Sequence, residues 1–206
     1  MDYSRILYYT CISASLIICC YYSLYNKSIR IFIFLFLLSI VTEILSDKTK
    51  SFLFYHFYIP LEYFFLSYFF KQKWKEKVAK NIIQLSAIVF AVFCIIISAT
   101  VRKINEFPSI QFNVEGVFNI ALSLSALLFI PVDEKLPIYR LPVFWISLAL
   151  LLFHSGIFVL NGSYNYLLEH NPYFANKLTR IINYNLNILH YILFSIAFIC
   201  SKRTAK

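Results

Sequence analysis

Long apolar runs broken by short charged gaps set the pattern of this chain. Seven runs, at about 6–25, 29–46, 52–70, 81–101, 111–131, 141–161 and 181–201, approach the ~20 residues that cross a bilayer core as a helix. The helix is the required form, because hydrocarbon offers no partner to a backbone N–H or C=O. The pattern predicts an all-α integral membrane fold, a bundle of seven transmembrane helices forming a single polytopic domain over 1–206. The gaps carry most of the charges and half of the prolines. The longest, 162–180, is too short for a domain of its own. The first run is flanked by Asp2 and Arg5 before it and Lys27 and Arg30 after it, with no small-residue cleavage pattern. It reads as a retained helix, not a signal peptide. The third run contains His56, Pro60 and Glu62, so a kink is expected there, with a re-entrant hairpin as the alternative.

Composition agrees with the pattern. Of 206 residues, 60% are hydrophobic and only 14% charged, with a mean hydropathy of +0.70. Ordinary soluble domains are about 45–50% apolar and about 25% charged. A soluble enzyme, a disordered tail and a disulfide scaffold are excluded. The net charge of +9 sits mostly in the gaps, the signature of membrane loops. No basic soluble face is left to bind nucleic acid. Counted on alternate sides, twelve Lys and Arg (27, 30, 71, 73, 75, 77, 80, 135, 140, 202, 203, 206) face seven (5, 48, 50, 102, 103, 177, 180). The richer side is expected to be cytoplasmic, which puts the N-terminus outside and the C-terminus inside. The five cysteines lie in or at the end of apolar runs without a C-x-x-C spacing, and read as small buried hydrophobes.

An ionisable group in hydrocarbon costs at least ~2.5 kcal/mol on insertion scales, so it turns to the protein interior or to a water-filled cavity. Glu43, His56, Glu62, Glu115, His154 and His190 all fall inside runs. Their neighbours repeat at helical spacing: Gln111, Glu115, Asn119 and Ser123; Ser147, His154 and Asn161; Asn183, Asn187 and His190; Tyr55, Tyr58 and Glu62; Ser39, Glu43 and Ser46. The first and fourth runs carry no such row and are expected to be peripheral. Successive runs alternate in direction, which places these groups in one half of the membrane, the outer half under the charge count. The expectation is an outward-facing polar pocket formed by Glu43, His56, Tyr58, Glu62, Glu115, Asn119, His154, Asn161, Asn183, Asn187 and His190.

Carboxyls and imidazoles together can bind a polar ligand, relay protons or hold a transition metal. A metal site of Glu62, His154 and His190, holding zinc or iron, is the alternative, and it requires their helices to be neighbours. There is no H-E-x-x-H. Retinal is not expected, because the last run contains no lysine for a Schiff base. Asn171-Pro172-Tyr173-Phe174, a receptor-like motif, falls in a gap.

The run Tyr55-His56-Phe57-Tyr58-Ile59-Pro60-Leu61-Glu62-Tyr63-Phe64-Phe65-Leu66-Ser67, with Phe144-Trp145-Ile146-Ser147 and Asn187-Ile188-Leu189, resembles a recurring element of small multi-pass proteins of Bacteroidetes-type bacteria. The resemblance implies a bacterial inner membrane and carries no activity with it. Four functions are weighed on the residues. The first is a receptor-like sensory module, which needs a separate protein partner because the chain has no output domain. The basic segment 71–80 is then either a route to that partner or an orientation signal. The second is an intramembrane metal-dependent or acid/base hydrolase acting on a lipid. The others are an accessory membrane subunit and a transporter, the last disfavoured by the absence of repeats and the scarcity of glycine.

Overall fold

A computed structural model describes residues 3–100, 107–129 and 137–202. The ends of the expected spans at Val101 and at Ile130 and Pro131 lie outside the described residues. So do the gap charges Arg102, Lys103, Lys135, Arg203 and Lys206. All regular structure in the described residues is helical. It comprises α1 (Tyr3–Ser23), α2 (Ile31–Thr49), α3 (Leu53–Lys71), α4 (Lys77–Thr100), α5 (Ser109–Leu128), α6 (Pro142–His170) and α7 (Pro172–Ser201), with short 3-10 turns at Lys27–Ile29 and Ile138–Arg140.

Among the described residues, six stretches are long and apolar enough to cross a membrane: Arg5–Ser23, Lys27–Thr49, Lys77–Thr100, Ser109–Leu128, Pro142–His170 and Pro172–Ser201. The helix left out is α3, whose tyrosines, His56, Pro60 and Glu62 dilute its phenylalanines.

The stretch 162–180, expected as a gap, is a correction. It is helical except at Asn171, where α6 ends and α7 begins. The Asn171 side chain accepts the Phe174 N–H at 3.0 Å, and Pro172 occupies the first helical position. An Asn cap followed by Pro is a strong helix start, since the cap supplies an acceptor and proline has no N–H to leave unsatisfied. The Asn171-Pro172-Tyr173-Phe174 motif therefore opens a helix. With 29 and 30 residues, α6 and α7 reach about 44 Å at ~1.5 Å per residue, longer than a hydrocarbon core of ~30 Å. Their polar ends are tied by a Tyr164 Oη to Asn176 Oδ1 hydrogen bond of 2.9 Å.

Two compact units divide the chain, one of Met1–Asn26 with Ser123–Lys206, the other of Lys27–Leu122. In the first, α7 packs against both α1 and α6. Ser15 on α1 donates to the Tyr191 carbonyl at 2.9 Å and lies 2.8 Å from Ser195 Oγ. At Gly156 a Cβ would stand 2.7 Å from Leu186 Cδ1, so α6 and α7 approach closely there. In the second unit α3 packs against α2 and α4. Ile59, Tyr63, Ala87, Phe90 and Cys94 form its core, with Phe112, Phe118 and Leu122 of α5 laid against it. The Tyr63 ring meets Phe90 at 5.0 Å and Phe118 at 5.4 Å. Lipid tails are as apolar as these side chains, so interlocking rings hold such helices by dispersion contact. The turn between α2 and α3 is made by Lys50, whose φ of 54° reverses the chain after the last turn of α2.

Candidate functional site

The polar groups of the second unit come from three helices. On α5, Gln111, Glu115 and Asn119 recur every fourth residue and are all buried, Glu115 with 0% of its surface exposed. Asn119 Nδ2 donates to Glu115 Oε1 at 3.5 Å. The second carboxylate oxygen of Glu115 has no hydrogen-bond partner among the described residues, nor has Gln111 Oε1. From α3, Tyr58 donates its phenolic hydrogen bond to Glu62, which keeps part of its surface accessible. The Glu62 and Glu115 carboxyls are near enough to interact electrostatically, and Glu115 also acts on Tyr63 and on Cys94 of α4. Tyr63 Oη is 2.9 Å from Ser86 Oγ of α4.

A second polar knot joins the same three helices. His56 Nδ1 lies 2.8 Å from Ser98 Oγ, and Gln111 Nε2 donates to that oxygen at 3.1 Å. Proline at 60 supplies no N–H to the α3 ladder. Outside the apolar spans, Lys73 reaches Ser28 at 3.1 Å and covers the Phe69 ring at 5.1 Å. Burial lowers the pKa of its ammonium below the ordinary lysine value.

His56, Tyr58, Glu62, Glu115 and Asn119 are thus gathered in the unit Lys27–Leu122. Glu43 belongs to it too, half-buried in the last two turns of α2. The remaining expected residues belong to the other unit. His154 and His190 are buried there and interact with each other. His190 Nδ1 is 3.4 Å from the Ala149 carbonyl, and its ring meets Phe153 at 4.9 Å and Phe194 at 4.3 Å. Asn161 is exposed on α6. Asn183 is exposed on α7, and Asn187 Nδ2 bonds back to Asn183 O at 2.9 Å and to its Oδ1 at 3.0 Å, within one helix. Among the described residues no group of three or more His, Cys, Asp or Glu side chains forms a metal-holding cluster.

Ser86, Ser98 and Cys94 of α4 were not legible as site residues, because that helix carries no ionisable row. The available signal was two serines in a predominantly apolar run, each placed to meet a polar residue of α3. No family model, curated protein or solved structure matches the chain. Its class rests on its own physics: a helical protein with six helices fit to cross a membrane. Within that class, the distinguishing feature of this chain is the carboxyl and amide cluster of α3 and α5.

Proposed function

We propose that this protein is a receptor-like sensory module of a bacterial inner membrane, with Tyr58, Glu62, Glu115 and Asn119 as the ligand site. In this reading α3 is a seventh span, the N-terminus is outside and the C-terminus cytoplasmic. The basic segment 71–80 and Lys202 then lie on the cytoplasmic side, as the distribution of Lys and Arg favours. The ligand is a small cation, either a proton or a compact ammonium. Binding shifts the packing of α3 against α4 and α5, and a separate membrane or cytoplasmic protein reads the shift.

One observation carries this. Two carboxyl groups in apolar helices lie near enough to act on each other electrostatically, and one oxygen of Glu115 has no hydrogen-bond partner among the described residues. Buried polar atoms are nearly always hydrogen-bonded, and a carboxylate at this depth without a counter-charge is costly. A cation held between the two satisfies both demands.

Thermal unfolding of the detergent-purified full chain tests the reading, scanned over pH and over sodium, potassium, calcium, choline and spermidine. The expected result is stabilisation by protons or by one cation, with Glu115→Gln equally well folded but unresponsive. A stability that no cation or pH change moves, unaltered in Glu115→Gln, makes the cluster structural. Metal analysis of the same preparation bears on the hydrolase reading. Stoichiometric zinc or iron, lost in His154→Ala and His190→Ala, would replace the receptor with a metalloenzyme.

A further inference from the structure

A groove of about 550 Å³ runs between α3 and α4, within the range of roughly 300–1,000 Å³ that holds small ligands. It is lined by Leu53, Phe57, Pro60, Leu61 and Phe64 from α3 and by Ala91, Ile95 and Ala99 among others from α4. Its rims are open to the surroundings: Phe57 is 63% exposed and Ile95 69%. The rim of α4 is part of a helix fit to cross a membrane, and α3 packs directly beside it. With α3 as a seventh span, a part of the proposed reading on which this inference rests, the medium over this face is lipid.

Length and polarity narrow the occupant. From Leu53 to Phe64 the α3 wall rises about 16 Å at ~1.5 Å per residue, about half of a ~30 Å hydrocarbon core. That is the depth of one leaflet. The polar lining is concentrated at one end, where His56 and Ser98 meet at 2.8 Å. His56 is in the first turn of α3 and Ser98 in the last turn of α4, so this end belongs at the membrane boundary. Among the described residues no Lys or Arg lines the groove to neutralise a carboxylate. An ester carbonyl needs only a neutral donor, which an imidazole or a hydroxyl provides. Small side chains at Ala87, Ala91 and Ala99 leave the space that larger residues would fill.

We propose that this groove is a lipid site. It holds one acyl chain of a bilayer phospholipid along α3 and α4, with the ester carbonyl at His56 and Ser98. The site stands apart from the carboxyl cluster and does not depend on a cation binding there, although Cys94 borders both.

The full chain in lipid nanodiscs tests this with a phosphatidylethanolamine carrying a diazirine midway along one acyl chain. After irradiation, labelled peptides are mapped by mass spectrometry. The expected label concentrates on residues 57–64 and 91–95, several-fold above the exposed apolar positions of α1 and α7. Ala91→Trp, which fills the groove, lowers it several-fold and leaves α1 and α7 unchanged. Ala99→Trp, which blocks the groove nearer its polar end, does the same if Ala91→Trp does not fold. Label on 57–64 no higher than on α1 and α7, or undiminished in a folded tryptophan variant, overturns the proposal. Displacement by free fatty acid but not by excess unlabelled phospholipid overturns it too, and assigns the groove to a free amphiphile.

Discussion

In the unit of α1, α6 and α7, His190 lies beside a backbone carbonyl and the rings of Phe153 and Phe194, and interacts with His154. In the unit of Lys27–Leu122, Glu62 and Glu115 meet tyrosine hydroxyls, an amide and each other, and Glu115 has hydrogen-bonding capacity left over. Both regions bury ionisable groups in apolar helices. The contrast shows that burial alone does not mark a site. In the proposed reading, an imidazole between rings with one acceptor in reach serves as packing. In that reading, a carboxyl pair with an oxygen to spare is an incomplete coordination shell.

Core truncations are the largest way to break this comparison. Phe194→Ala and Tyr63→Ala each remove a fully buried ring from one of the two units and should each cost about 3–5 kcal/mol. Chemical unfolding in mixed micelles measures both. A much smaller loss in one alone would mean that unit is loosely packed and its contacts carry less weight. His190→Phe comes next, and should cost about 1–3 kcal/mol, because a larger ring enters a packed aromatic cage and the Ala149 carbonyl loses its imidazole neighbour. It should also leave any cation response intact, whereas Glu115→Gln abolishes that response. A cation response lost in His190→Phe would contradict the assignment of the imidazole to packing.

The smallest effect concerns Lys73. Its folded pKa is lowered from 10.5 by burial, so the folded chain releases this proton before the unfolded chain does. The unfolded state then binds more protons, and stability rises with pH between the lowered folded value and 10.5. Below that window the burial cost is present in full. Wild type should gain stability across this alkaline window, and Lys73→Arg, which stays charged, should lose that gain. Equal slopes in the two proteins would assign the pH dependence to other groups.

The helical class and the apolar, membrane-crossing character were legible in the sequence, because they depend only on local composition and period. The α5 row shows this well: Glu115 and Asn119 repeat at i+4, and that spacing alone puts them on one side of the helix. The junction at Asn171 was read as part of a gap, because the polar residues around its cap and proline masked two helices that outrun the hydrocarbon. The sequence could not say which helix would face the α5 row. That depended on Tyr63 and Phe118 fitting together, a matter of shapes on separate segments. Nor could it show that Ser98 would complete a knot with His56 and Gln111, or that small residues on α4 would leave a groove beside α3. Periodicity sets the face each residue occupies, while only packing decides what that face meets, because dispersion contacts and hydrogen bonds act across a few ångströms between residues far apart in the chain.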